Sequence, residues 1–218
     1  MARKALIVWG GWDGHQPQQV AEVFDRLLKK EGFETEVSTS LESFGDEGKM
    51  MGLSLIVPCW TMGVLSQEQQ KTIAKAVSSG VGVAGCHGGM CDAFRSNCEW
   101  QFITGGQWVA HPGNDGVKYT VRVTEKTHPI MEGINDFEVS SEQYYMHVDP
   151  AVKVLATTRF PVADGPHTPN GAVEMPVVWT KWYGKGKVFY SSIGHTAALV
   201  ESEPHLTILR RGCLWAAK

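Results

Sequence analysis

The chain has 218 residues, 43% of them hydrophobic and 20% charged, which is the balance of a folded globular protein rather than a disordered chain. A formal net charge of −3 argues against a surface for nucleic acid or an anionic membrane, because either would require a basic patch. The first apolar run starts at Lys4, and every such run is far shorter than the ~20 residues of a membrane span. The sequence therefore predicts no signal peptide, no membrane helix and a cytoplasmic location.

The first half of the chain alternates between strand and helix patterns. Residues 4–9 form a continuous apolar run, which is typical of a strand buried on both faces, and hydrophobic residues at helical spacing predict an amphipathic helix over 17–31. Further strands are expected at 33–39, 53–58 and 81–84, and a capping box of Ser66 and Gln69 predicts a helix that runs to about residue 79. This alternation predicts an α/β fold with a doubly wound parallel sheet.

The second half has strand patterns with short connections, so part of it should be antiparallel or mixed. The expected strands cover 117–124, 137–140, 152–159, 177–183 and 187–192, and Pro204 should open a final helix. Residues 160–172 are rich in proline and glycine and predict an exposed loop. Because the sequence contains no repeat, linker or second core, we expect one domain over residues 1–218.

Five of the eight histidines follow a strand-type apolar run and a turn marked by glycine or an aromatic residue: His15, His87, His111, His147 and His195. Residues just past the carboxyl ends of parallel strands face a common crevice, and histidine is the commonest metal ligand. We therefore predict that all of these except His147 line one pocket, with Glu142 and Tyr144 on its rim. The alternative is that each imidazole caps its own turn.

The segment Gly85-Cys86-His87-Gly88-Gly89 has the outline of a nucleophile elbow, in which glycines flank a residue presented between a strand and a helix. The presented position is His87, and Cys86 lies one step before it. This offset argues against cysteine chemistry, although a hydrolase that uses Cys86 and a purely structural His87 both stay open. The five cysteines form no disulfide framework, and the spacing of Cys86, Cys91 and Cys98 matches no structural zinc pattern.

The first glycine-rich loop, GGWDGH, lacks the spacing of a dinucleotide or phosphate loop. We interpret it as the wall of a site for a small polar ligand, with Asp13 and His15 as hydrogen-bonding groups and Trp12 as an apolar surface. Aromatic side chains beside polar groups are typical of sugar sites, and several lie near the predicted crevice. The expected substrate-binding residues are Asp13, His15, Trp12, Trp108, Tyr144 and His147, with Trp60 and Tyr145 nearby.

Glu142 lies between a strand end and aromatic residues, a setting that suits a carboxyl group to acid–base work or to metal ligation. We predict a divalent metal, zinc or manganese, with His87, His111 and His195 as ligands and Glu142 as a fourth ligand or the general base. Two alternatives stay open. In the first, Glu142 is an acid on the surface of a loop. In the second, the site is free of metal and its imidazoles bind sugar hydroxyls directly.

Several segments in one order resemble the ThuA-like family, named for trehalose utilisation: GGWDGH, the GxHGG turn, GGxWxxHPG, HPIMEGI, EQYY and GKVFYSSIGHT. The resemblance covers residues 7–214. It implies a flavodoxin-like, class I glutamine amidotransferase-like fold without the cysteine triad, and a role in sugar catabolism on oxidised (3-keto) glycosides made by a partner dehydrogenase. The recurrent polar positions of the family fall on His15, His87, His111, Glu142, Tyr144 and His195.

Two classes of function follow from the resemblance and the residues together. As an enzyme, the protein would cleave or isomerise a keto-sugar, with His87, Glu142, His111 and His195 as the catalytic residues. As a binding module, the same pocket would hold a sugar without turnover. The expected partners are a small sugar and a sugar dehydrogenase, without nucleic acid or membrane, and the formation of a homo-oligomer stays open.

Overall fold

The computed structural model describes residues 2–161 and 165–218. The first half consists of β1 (Arg3–Gly11), α1 (Pro17–Lys30), β2 (Phe33–Ser38), α2 (Glu47–Met51), β3 (Leu55–Thr61), α3 (Gln67–Ser78) and β4 (Gly82–Cys86). The second half consists of α4 (Gly88–Cys91), α5 (Cys98–Thr104), β5 (Gly106–Ala110), β6 (Val117–Val123), β7 (Phe137–Ser141), β8 (Tyr145–Val148), β9 (Lys153–Phe160), β10 (Val173–Tyr183), β11 (Gly186–Ser191), α6 (Ala197–Val200) and α7 (His205–Ala216). Short 3-10 helices cover Asp13–His15, Leu41–Phe44 and Gly165–Asn170.

Most of the expected strands and long helices are present close to their predicted bounds. Ser66 and Gln69 form the reciprocal capping box that opens α3. Among the strands expected in the second half, the largest difference in bounds is that of β10, which begins at Val173, before the predicted start at residue 177. Of the predicted loop over 160–172, residues 162–164 lie outside the described part of the chain, and Gly165–Asn170 form a 3-10 helix.

Within the described residues, nine strands form one sheet in the order β2-β1-β3-β4-β11-β10-β9-β6-β7. The first five strands of this order are parallel, and every pairing from β11–β10 onward is antiparallel. The parallel part follows the 2-1-3-4-5 order of the flavodoxin-like type, in which ligands bind beyond the carboxyl ends of the strands. The predicted α/β fold class with a mixed C-terminal half is confirmed.

Alternation along β1 shows why the sheet is covered on both faces. Ala5 and Ile7 belong to the core that includes the buried sides of α1 and α7, whereas Leu6 and Val8 belong to the core that includes the buried sides of α3 and α5. Burial of one such aliphatic side chain contributes about 1.5–3 kcal/mol. The sheet is therefore a rigid base for the loops at its carboxyl edge.

Two further strands, β5 and β8, pair with each other in a separate antiparallel ribbon. Gln107 on β5 lies opposite His147, which is an exposed residue within β8 rather than a residue that follows a strand. The strand-then-turn interpretation of His147 is therefore wrong. Among the helices of the described residues, none is long and apolar enough to cross a membrane.

Candidate functional site

Polar side chains lie at or just after the carboxyl ends of four neighbouring parallel strands. His15 ends the 3-10 helix that follows β1, and Thr61 is the last residue of β3. His87 directly follows β4, and His195 lies in the loop after β11. The strand order places these four loops side by side, so the carboxyl-edge rule predicts their convergence.

The carboxylate of Glu142 lies in the centre of these histidines. Its Oε2 atom is 3.1 Å from His87 Nε2, 3.3 Å from His195 Nδ1 and 3.6 Å from His15 Nε2. Its Oε1 atom is 3.7 Å from His111 Nε2. The structure thus brings together the four histidines that were expected to share a pocket.

Glu142 and Tyr144 were expected on the rim of the pocket, but both are buried inside it. The Tyr144 ring stacks on the His87 ring with centroids 4.0 Å apart. Burial, followed by the charge of Glu142, raises the pKa of the Tyr144 hydroxyl well above its usual value. Tyr144 therefore stays protonated and holds the His87 ring from one side.

The backbone at His87 has the geometry of a nucleophile elbow, with φ 48° and ψ −142°. This conformation is costly for a residue other than glycine and is found mainly at functional sites. A Cβ atom at Gly88 would overlap the His15 ring, so glycine is required for the two histidines to approach. The elbow presents His87, whereas Cys86 is buried and burial raises its pKa to about 12. The Cys86 thiol is therefore poorly suited to act as a nucleophile.

The hydrogen bonds of His87 determine which ring nitrogen faces Glu142. Nδ1 lies 2.8 Å from the carbonyl oxygen of Ser192, and because a carbonyl only accepts, Nδ1 carries the proton. Burial lowers the pKa of His87 to about 4, so the ring is neutral near pH 7 and Nε2 carries a lone pair. Burial alone would raise the pKa of Glu142, but contacts with His15, His195 and His87 outweigh it and hold that pKa below its usual range. The lone pair of His87 Nε2 thus faces the Glu142 carboxylate, and this arrangement favours a cation between the two groups.

The atoms of His15, His87, Glu142 and His195 that could ligate a metal all lie within 4.8 Å of one another, and this group could bind a metal ion. The three contacts of Glu142 Oε2, at 3.1–3.6 Å, are close to the edge of about 3.4 Å between ligands of a tetrahedral zinc site. His111, one of the three ligands expected from the sequence, lies outside this group of four, and His15 is in it instead.

The mouth of the site is formed by aromatic side chains and an acid. Trp12 is exposed, and its ring and the His15 ring are nearly perpendicular, with centroids 4.7 Å apart. Trp108 lies 5.4 Å from the His111 ring, measured between centroids. The carboxylate of Asp115 approaches His195 Nε2 at 3.9 Å, and the pKa of His195 is raised first by Glu142 and further by Asp115.

Two residues expected to bind substrate are not brought into the cluster. Asp13 is exposed on the 3-10 helix after β1, and His147 lies on the separate ribbon. Conversely, sequence reasoning missed Thr61, whose hydroxyl is 2.8 Å from His15 Nδ1, and Asp115. Thr61 could have been found from its place at the end of the third parallel strand. Asp115 offered only the turn sequence HPGNDG as a signal.

The fold and the site define an α/β protein with a flavodoxin-like parallel sheet and a strand–helix elbow that presents a histidine, His87, to the Glu142 carboxylate. Over residues 4–216 the chain matches the family model ThuA, described as trehalose utilisation. The chain therefore belongs to the ThuA family, and the resemblance recognised in its motifs is confirmed.

Solved structures agree with this assignment at the level of the fold. A putative ThuA-like protein from Parabacteroides merdae is 20% identical with a TM-score of 0.75, over 99% of this chain and 90% of that one. A putative ThuA-like protein from Bacteroides uniformis is 19% identical with a TM-score of 0.76, over 98% of this chain and 91% of that one. A putative GMP synthase component from Thermoplasma acidophilum is 12% identical with a TM-score of 0.56, over 98% of this chain and 93% of that one. No curated protein sequence matches the chain significantly.

Proposed function

We propose that this protein is an enzyme of sugar catabolism that acts on a keto-sugar, most simply a 3-keto-glycoside supplied by a sugar dehydrogenase. The observation that carries the proposal is the buried Glu142 carboxylate within contact distance of four histidines at the carboxyl edge of the sheet. The family description, trehalose utilisation, supports a sugar as the substrate class. Surface polar residues that only bind sugar would not require so many buried imidazoles around one acid.

The chemistry follows from the ketone. A 3-keto group acidifies the neighbouring C–H bond, and the aglycone oxygen is attached to the next carbon. A base removes the proton, the electrons of the C–H bond form the enolate, and collapse of the enolate breaks the bond to the aglycone. We assign the base to His111, because its side chain is only partly buried and lies outside the group of four potential metal ligands. The same proton then passes from His111 to the departing oxygen, so the step is balanced.

We further propose that His15, His87, Glu142 and His195 bind a divalent metal, zinc or manganese. The support is the lone pair of His87 that faces the Glu142 carboxylate and the spacing of the four potential ligand atoms. A bound divalent cation would supply charge stabilisation for the enolate oxygen. In this arrangement Thr61 and the Ser192 carbonyl hold the outer nitrogens of His15 and His87 and fix the orientation of both rings.

The test is product analysis after incubation with a panel of 3-keto-glycosides and the matching unoxidised glycosides, with and without a chelator. We expect release of the aglycone from the keto substrates alone, and release about 100-fold slower in His111→Gln. The matched control is His147→Gln, an exposed histidine outside the cluster, which should keep full activity. Stoichiometric sugar binding by the wild-type protein without any product would show that the protein is a sugar-binding module rather than an enzyme.

A further inference from the structure

Strained backbone marks the boundary of the site. Within residues 2–161 and 165–218, the residues other than glycine that have a positive φ are Gln16, Met62, His87, Phe94 and Asn114. Such conformations persist only where the surrounding structure enforces them, and they concentrate at functional sites. His87 is itself in the cluster, and three of the others are direct neighbours of His15, Thr61 and Asp115.

The remaining strained residue, Phe94, directly precedes Arg95, a side chain that the chemistry above does not use. Phe94 is fully buried with φ 49°, and its backbone N–H donates to the Met62 carbonyl at 2.9 Å. An aromatic residue has no preference for this region of φ, so the turn is enforced by its neighbours. The turn leads directly into Arg95.

The guanidinium of Arg95 is held in one orientation. Its Nε and Nη2 atoms donate to the two carboxylate oxygens of Asp92, a buried residue, with 2.9 Å between Nη2 and Oδ2. Its Cζ atom lies 4.5 Å from the centroid of the Trp108 ring. A guanidinium that is fixed by a bidentate carboxylate and lies over an indole keeps its remaining N–H groups available to a ligand.

Trp108 connects Arg95 with the histidine cluster. Its ring lies 5.4 Å from that of His111 and 6.3 Å from that of Tyr144, measured between centroids. The Trp108 Nε1 atom and the His111 Nδ1 atom are both buried and lack a hydrogen-bond partner among the described residues. Because buried polar atoms are almost always paired, these two atoms indicate a polar ligand beside Trp108.

We propose that Arg95 and Trp108 form a subsite for the second, uncharged sugar ring of a glycoside substrate, with Arg95 as a binding residue. The proposal rests on the proposed function. The sugar ring lies against the edge of the indole that carries Nε1, so that this N–H and the free N–H groups of Arg95 donate to its hydroxyls. Asp92 neutralises the guanidinium, and Asp115 adds a carboxylate at the mouth, so a phosphorylated or acidic sugar is disfavoured.

The experiment is calorimetric binding, which needs no turnover. The ligands are trehalose, methyl α-glucoside, which lacks the second ring, and trehalose 6-phosphate. The wild-type protein should bind trehalose more tightly than the other two, and Arg95→Lys should weaken trehalose binding about tenfold while leaving methyl α-glucoside unchanged. Lysine keeps a positive charge beside buried Asp92, and the Asp92→Asn/Arg95→Gln double variant, which removes both charges, should show the same loss.

The control is Arg26→Lys, an exposed arginine on α1 that pairs with Glu201, and it should bind like the wild type. Equal wild-type affinities for trehalose and methyl α-glucoside, undetectable binding of both, or tighter binding of the phosphate would each overturn the proposal. In turnover of a 3-keto-disaccharide, Arg95→Lys should raise KM with little change in kcat. Intact binding without turnover would reject the enzymatic function and leave the subsite standing.

Discussion

The parallel and antiparallel halves of the sheet make different contributions to the site. The parallel half supplies His15, Thr61, His87 and His195, each fixed by its own strand end. The antiparallel half supplies Glu142, from the loop after the outermost strand β7. The parallel half therefore supplies imidazoles at neighbouring strand ends, whereas the antiparallel half supplies the carboxylate that contacts each of them. The comparison predicts that loss of this one acid should cost more than loss of any one histidine.

The largest expected effect is that of Glu142→Gln. The amide keeps the shape of the side chain but removes the negative charge that faces four imidazoles, so activity on a keto-glycoside should fall by about 1,000-fold. The change is measured as kcat/KM on the substrate found in the panel. The matched control is His147→Gln, which changes an exposed side chain on the neighbouring ribbon. A loss of only a few-fold in Glu142→Gln would show that the antiparallel half does not complete the site.

A smaller but still large effect is expected within the elbow. His87→Ala should reduce kcat/KM by about 100-fold, because it removes the presented side chain, while Cys86→Ser should keep most of the activity. The buried Cys86 thiol, with its raised pKa, is a small core residue in this account. Equal losses in the two variants would revive a hydrolase that uses Cys86.

The smallest expected effect concerns the stability of the parallel half rather than its chemistry. His205 on α7 is buried, with Nε2 3.0 Å from the Ser191 hydroxyl oxygen, and burial lowers its pKa to about 4. The unfolded chain, with a His pKa of about 6.5, binds the proton more readily, so this contribution to stability is complete above pH 6.5 and is lost as the pH falls toward 4. The slope is at most about 1.4 kcal/mol per pH unit in that window.

The measurement is urea unfolding of wild type and His205→Gln between pH 4 and 7. Glutamine does not titrate, so the free energy of unfolding of the variant should fall less steeply toward low pH than that of the wild type. The two proteins are compared by the change in slope rather than by stability at one pH, since the substitution also alters the contact with Ser191. Parallel pH profiles would show that His205 is not the buried neutral histidine inferred here.

The same two halves explain what could be predicted from the sequence. The histidines of the parallel half were found because each follows a strand within a few residues, and the sheet then places neighbouring strand ends together. The central place of Glu142 could not be predicted, because it depends on how the chain turns back from β7, a matter of long-range packing. His147 was misplaced for a related reason. The aromatic run before it begins a ribbon strand, and that strand contains the histidine.

Residues that belong to no sequence motif were the hardest to find. Neither Thr61 nor Arg95 belongs to a sequence motif. The role of Thr61 follows from its contact with His15, and that of Arg95 follows from its contact with Trp108 and from the strained turn at Phe94. The same holds for the exchange of His111 for His15 in the proposed ligand set, since the sequence contains no distances between loops. The order and type of the elements follow from local patterns, whereas the choice among nearby imidazoles follows from the three-dimensional packing.

Elemental analysis is the most direct test of the central claim, that Glu142 and the histidines of the parallel half together form a cation site. The wild-type protein, purified without a polyhistidine tag, should contain about one equivalent of zinc or manganese, and a chelator should remove both the metal and the activity. Glu142→Gln should contain much less metal, and His147→Gln should contain as much as the wild type. Less than about a tenth of an equivalent in the wild type, with activity unchanged by the chelator, would contradict the account and favour imidazoles that bind the sugar directly.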